Sequence, residues 1–205
     1  MILPPEFYRR DALDVAVELL GATLEAGEVR LRITEVEAYR AKGDSANHCY
    51  RGRTARNAPM WGPAGHAYIY LCYGIHSLLN LVTGEEGEGA AVLIRAAEPI
   101  AGHELIAERR GNARGAALTT GPGRLSAALG LDYRSSGIPC FIEGGPLIVR
   151  GGRAPRSILA GARIGIDYAD PRDRDALYRF ADAESAYVLK RRAMVPLARE
   201  RLVQD

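Results

Sequence analysis

Lysine is nearly absent from this chain. Of 205 residues with 27 basic side chains, only Lys42 and Lys190 are lysines. Schiff-base chemistry therefore has only those two amines and the terminal one to draw on. Cysteine is scarce as well. Cys49, Cys72 and Cys140 are odd in number and far apart, which fits neither a disulfide framework nor a CxxC metal site. No segment approaches the ~20 apolar residues of a membrane span. Met1-Ile2-Leu3-Pro4-Pro5-Glu6 lacks the charged-then-apolar layout of a signal peptide, so a cytoplasmic protein is expected. Charge of one sign is not in excess: the net charge is +2, a slight hint of an anionic partner.

What is present is a core and many arginines. Hydrophobic residues make up 47% of the chain, enough for a sizeable core and too many for wholesale disorder. The length suits one domain over residues 1–205, and neither an internal repeat nor a linker divides it. Arginine suits bidentate phosphate recognition. Codon usage in a GC-rich genome explains the bias equally well.

Asp11 to Leu20 reads as a helix, with Leu13, Ala16, Val17 and Leu20 on one face, Asp11 as cap and Gly21 as stop. Residues 22–39 read as a hairpin turning at Ala26-Gly27-Glu28. Residues 40–66 carry no periodicity; a stretch of that length is usually functional or disordered. A second hairpin spans 67–82 with its turn near Gly74. The acidic loop Gly84–Gly89 leads to a strand from Ala90 to Ala97. Pro99 opens a predicted helix to Arg110, and Gly121-Pro122-Gly123-Arg124-Leu125 starts another, with proline where its missing N–H costs nothing. Strands are expected near 147–150 and 158–166, and the basic end from Leu189 reads as helical. The expected class is α+β: a curved, largely antiparallel sheet with flanking helices and a protruding β-hairpin.

Three places carry possible chemistry. In the strand ending Ile33-Thr34-Glu35-Val36-Glu37-Ala38-Tyr39, alternation puts Glu35, Glu37 and Tyr39 on one face and Val36 and Ala38 on the other. A solvated strand face is the plain alternative. His48 follows in a polar loop with Arg51 and Arg53. In the second hairpin Tyr68, Tyr70 and Cys72 share a face, and Tyr73 sits at the turn, either packed on a neighbouring loop or projecting as a wedge into stacked bases. Asn80 is a polar residue amid Leu78, Leu79, Leu81 and Val82. Arg95 is the only charge between Ala90 and Ala97, and a buried arginine needs an anion; Glu37 is the natural partner, for structure or for catalysis.

Together these residues resemble the alkyladenine (methylpurine) DNA glycosylase family. The resemblance rests on Glu35–Tyr39, His48, Arg56–Trp61, Tyr68–Gly74, Asn80, Leu93–Pro99, Gly121–Leu125 and Arg163–Ile166, in the family's order over nearly the whole chain. Each motif alone is weak; the ordered set is highly specific. It implies that Glu37 is a general base activating water. Arg95 and the carbonyl of Ile164 would help hold that water. It further implies that Tyr39, His48 and Tyr70 stack on an extruded base, that Asn80 disfavours the 2-amino group of guanine, and that Tyr73 fills the vacated stack. Glu35 has no catalytic role by this comparison. The backbone N–H of residue 47 would serve the base although that residue is Asn. Departures at Ser77-Leu78-Leu79 and Leu177-Tyr178-Arg179-Phe180 bear on lesion preference.

The implied reaction is hydrolysis of an N-glycosidic bond in double-stranded DNA containing a damaged purine. An alkylated purine is cationic and leaves readily, so one carboxylate that takes a proton and faces the developing oxocarbenium suffices. With neither lysine at a matching position, a monofunctional enzyme is expected, acting as a monomer without metal or cofactor. Gly121–Arg124 would meet a phosphate or merely cap a helix, and the loop Glu85–Glu88 would face away from DNA. A non-catalytic DNA-binding module with a tyrosine hairpin is the alternative, and it leaves Glu37 opposite Arg95 unexplained.

Overall fold

A computed structural model describes residues 1–197. In chain order α1 (Pro5–Tyr8) and α2 (Ala12–Leu19) precede β1 (Thr23–Ala26) and β2 (Val29–Tyr39). A long irregular segment leads to β3 (Ala67–Cys72), β4 (His76–Thr83) and β5 (Ala90–Ala101). Then come α3 (His103–Arg110), α4 (Pro122–Leu129), β6 (Ile148–Arg150), β7 (Ile158–Gly161), α5 (Pro171–Asp175), β8 (Arg179–Asp182) and β9 (Val195–Pro196). The strands form one sheet, ordered β3-β4-β5-β2-β8-β7-β9, with β1 on β2 and β6 on β1. Every strand pairing among the described residues is antiparallel, in line with the expected α+β class and its largely antiparallel sheet.

β2 organises the molecule. β5 runs along one of its edges; on the other, Val29–Arg32 pair with β1 and Glu35–Glu37 with β8. Val29, Leu31 and Ile33 belong to the core, where β2 packs against α2 and α3, and so do Val36 and Ala38. Odd positions give way to even ones, so the strand slips phase. The slip is a matched pair of bulges. Between Ile33 and Glu35 the partner moves only from Ala97 to Ala96; between Glu35 and Val36 it moves from Ala96 to Ile94. Thr34 is the extra residue on β2 and Arg95 the extra residue on β5. A strand kept in phase would drive Glu35, Glu37 and Tyr39 into the helices beside Ile33. The bulges turn them to the opposite face instead, a re-aiming that bulges commonly perform beside active sites.

Helix α2 matches its sequence pattern. The Asp11 carboxylate accepts from Leu13 N–H at 2.8 Å, and Gly21 follows at φ +87°. The helix expected at Pro99 does not start there. Pro99 lies inside β5 opposite Leu31, at a register shift, the kind of place in a sheet that tolerates proline. Gly102 then turns the chain at φ +76°, where a Cβ would stand 2.9 Å from the Val29 Cα, and α3 begins at His103. The strand expected over 158–166 ends at Gly161, because Arg163 leaves the sheet for Asp44. The helix expected from Leu189 is instead one 3-10 turn, Arg191–Ala193, and β9; residues 198–205 lie outside the described residues. No helix among the described residues is long and apolar enough to cross a membrane.

Candidate active site

Glu37 is fully buried, and three donors surround its carboxylate. Ile164 N–H donates to Oε1 at 2.7 Å; the Tyr39 hydroxyl and Arg95 Nη1 donate to Oε2 at 2.9 and 3.1 Å. Burial, and then the charge of Glu37, push the Tyr39 pKa well up, so this phenol keeps its proton and donates it. Arg95 is buried too. Burial opposes its charge, but Glu37 and Glu35 outweigh that cost and hold the guanidinium firmly protonated. The expected pairing of Arg95 with Glu37 is present, and Glu35 joins it with Oε1 3.4 Å from Arg95 Nε.

Glu35 has further partners that local sequence did not reveal. Arg179 Nη1 donates to its Oε1 at 3.1 Å and Leu189 N–H to its Oε2 at 2.6 Å. Burial pushes the Glu35 carboxyl up, against the opposing pull of Leu189 N–H, Arg95 and Arg179. Arg179 also donates to the carbonyls of Ala162 and Leu189. Two carboxylates and two guanidiniums thus balance beneath the sheet surface. Glu35 knits β2, β5, β8 and the chain near Leu189 together, while Glu37 lies one hydrogen bond behind an open cavity.

That cavity, about 450 Å³, is lined by Arg95, Tyr39 and Ile164, the three partners of Glu37. Tyr68, Tyr70, His48, Asn80, Leu93 and Met60 line it further along. The His48 ring packs edge-on against Tyr70 with centroids 4.5 Å apart, and its Nδ1 lies 3.1 Å from the Tyr68 hydroxyl. Burial first and the Arg56 charge second lower the His48 pKa, which keeps the imidazole neutral near pH 7. The Asn80 amide donates to the carbonyls of Tyr68 and Leu78 at 3.0 and 3.2 Å, so its orientation is set. The sequence-predicted residues Glu37, Arg95, Tyr39, His48, Tyr70 and Asn80 are all brought together. The N–H of residue 47 is not available as expected: Asn47 N–H donates to the Asp44 carbonyl at 3.0 Å.

Tyr73 stands at the cavity rim, at the tip of the β3–β4 hairpin, and is 90% exposed. The turn closes through Ile75 N–H to the Cys72 carbonyl at 3.1 Å, with Tyr73 at φ +51° and Gly74 at φ +73°. Two left-handed residues suit the twist of a hairpin, but the first is ordinarily Asn, Asp or Gly. A tyrosine there is strained and finds no packing in return. Gly121 N–H donates to the Arg95 carbonyl at 2.9 Å, which seats the start of α4 beside the site.

Several contacts at the site carry no local mark in the sequence, although Arg163 stands in a motif that the family resemblance rests on. Arg163 is buried, pairs bidentately with Asp44 at 2.6 and 2.7 Å, and lies 4.7 Å from the Tyr39 ring centre and 5.3 Å from that of Tyr178. It therefore braces Tyr39 and holds the chain that presents Ile164. Tyr68 was legible through its alternation with Tyr70; Tyr168 was not. Among the described residues no group of three or more His, Cys, Asp or Glu could hold a metal ion.

Comparison with known proteins places the chain that carries this site. The family model for methylpurine-DNA glycosylase (MPG) matches residues 6–186. The chain belongs to that family. A provisionally named 3-methyladenine DNA glycosylase of Nitrosococcus oceani is 55% identical over 195 residues, covering 95% of this chain and 96% of that protein. The DNA-3-methyladenine glycosylase of Arabidopsis thaliana is 49% identical over 188 residues, 91% of this chain and 74% of the plant protein. A provisionally named relative from Methanocella arvoryzae is 46% identical over 197 residues, covering 93% and 96%. The family match takes in every site residue from Glu37 to Arg179.

Proposed function

We propose that this member of the methylpurine-DNA glycosylase family excises alkylated and deaminated purines from double-stranded DNA: 3-methyladenine, 7-methylguanine, hypoxanthine and ethenoadenine. The observation that carries this reading is Glu37, buried and held by three donors that themselves line an aromatic cavity. The damaged nucleotide turns out of the duplex and its base enters between Tyr39 and the His48–Tyr70 pair, while Tyr73 fills the gap left in the stack. Water beside Glu37 attacks C1′ as the C1′–N bond breaks. The bond's electron pair leaves with the base, and Glu37 takes the water proton. The negative charge of Glu37 also faces the oxocarbenium-like sugar. Arg95 orients Glu37, and Asn80, with its amide already committed to two carbonyls, bars the 2-amino group of guanine.

The enzyme acts as a single-domain monomer on nucleoid DNA, without cofactor, and leaves an abasic site and an uncut strand. Neither Lys42 nor Lys190 lines the cavity, which favours water over an amine as nucleophile. The test is a single-turnover assay in EDTA on duplexes carrying one hypoxanthine, 7-methylguanine or ethenoadenine. Strand breaks that need hot alkali, formed by wild type and not by Glu37→Gln, are expected. Breaks without alkali would overturn the monofunctional reading. Tight DNA binding with no product from any lesion would leave a binding module.

A further inference from the structure

The segment from Ile164 to Ala169 runs as a strap from the reaction centre to the cavity rim. Ile164 N–H touches Glu37 at 2.7 Å. Gly165 follows at φ +80°, exposed to the cavity, with open space where a Cβ would stand. Ile166 and Ala169 are buried with Ala46 in a small cluster on which Tyr39 packs. Tyr168 lies beyond, lining the cavity yet 67% exposed. It is not loose: its hydroxyl donates to the Ala46 carbonyl at 2.9 Å and so ties the strap to the loop bearing His48. A tyrosine held by its hydroxyl with its ring uncovered has little freedom left to lose on contact, which is the economy of tyrosine at binding surfaces.

We propose that Tyr168 is a sugar-contacting residue, whose ring packs against the deoxyribose of the extruded nucleotide. The inference rests on the base-excision reading above. In that reading C1′ stands in front of Glu37 and the base lies between Tyr39 and the His48–Tyr70 pair, while the strap from Ile164 runs from that carbon to the rim. The sugar and its phosphates must then lead outward along the strap. Gly165 leaves room for the sugar to approach the backbone, and Tyr168 offers the next surface toward the rim. A contact to the sugar carries no information about the base. Tyr168 thus strengthens capture of every lesion alike, whereas Asn80 and the stacking rings discriminate among lesions.

The experiment compares wild type, Tyr168→Phe and Tyr168→Ala for affinity to three duplexes: undamaged, one bearing a tetrahydrofuran abasic analogue, and one bearing hypoxanthine. Excision of hypoxanthine and of ethenoadenine is measured beside it. Tyr168→Ala is expected to weaken binding to the abasic analogue roughly tenfold, about 1.4 kcal/mol. It should leave the undamaged duplex nearly unaffected and slow both excisions by a common factor. Tyr168→Phe keeps the ring and loses only its tether, so a loss of about threefold or less is expected; this variant carries the test should the alanine protein fail to fold. Unchanged abasic affinity in Tyr168→Ala, or a loss confined to one lesion, overturns the role of Tyr168 while the glycosylase reading stands. Wild type that neither prefers the abasic analogue nor excises either base overturns both.

Discussion

Replacing Tyr73 with asparagine is expected to make the protein more stable and the enzyme slower. Tyr73 holds φ +51° at the hairpin tip and is 90% exposed. The left-handed region costs an ordinary side chain about 1–2 kcal/mol, and asparagine tolerates it better. So exposed a ring forfeits almost no packing when removed. The gain should reach about 1 kcal/mol, or about 2–4 °C in the unfolding midpoint for a chain of this size. The loss falls on the extruded state. Stacking of an aromatic ring on a base is worth ~1–3 kcal/mol, which is roughly fivefold to more than a hundredfold in the extrusion equilibrium. Calorimetry gives the first quantity. Stopped-flow fluorescence of ethenoadenine in a duplex, followed by single-turnover excision, gives the second. A lower midpoint would show that the turn is not strained. An unchanged excision rate with a raised midpoint would show that the strain serves something other than base extrusion.

Glu35→Gln and Glu37→Gln should separate structure from chemistry. Glu37→Gln is expected to cut single-turnover excision by about 10²–10⁴, the usual weight of a general base, while Glu35→Gln leaves buried Arg179 without its carboxylate and costs about 3–5 kcal/mol in urea unfolding. Equal loss of excision in both, with both folded, would refute the division. For His48 the sign is set by its lowered pKa. Unfolding takes up a proton between that value and the ordinary 6.5, so stability should fall as pH drops through this window and stay level above it. His48→Gln should remove this contribution, so that urea midpoints measured from pH 5 to 7 fall less steeply on acidification than in wild type. Arg163→Lys keeps a charge but loses the bidentate Asp44 pair and the guanidinium's contacts with the Tyr39 and Tyr178 rings. A cost of about 2–4 kcal/mol is expected in the same unfolding assay, and wild-type stability would refute the bracing role.

Local pattern carried much of the fold. Asp11 and Gly21 bounded a helix, and two hairpins announced themselves by alternation and a glycine turn. The phase slip in β2 was also on view: Val29, Leu31 and Ile33 are odd, Val36 and Ala38 even, and both sets share the core. Reading the strand only from Glu35 onward recovers the correct faces but misses the bulge that makes them. Pro99 misled because proline opens helices far more often than it sits within strands, and only the partner strand reveals the register shift that accommodates it. β8 was invisible for a related reason. It is four residues long and begins with Arg179, and an arginine reads as exposed unless its distant carboxylate is known.

The arginine bias deserves a third explanation beside phosphate recognition and codon usage. Arg95, Arg163 and Arg179 are all buried, and each joins segments far apart in the chain. Arg163 donates to Asp44, to the Ala38 carbonyl and to the Asp173 carbonyl; Arg179 donates to Glu35, to Ala162 and to Leu189. A planar fork of five donors can serve three acceptors at once and stack on a ring, whereas the point charge of lysine cannot. These guanidiniums hold the peptide that presents Ile164 and the carboxylate that neighbours Glu37. The buried pair Glu37 and Arg95 was legible because a carboxylate and a lone arginine stand out in apolar strands. Its supports were not, because each is an ion pair closed across more than a hundred residues, and no periodicity within a strand or helix records such a closure.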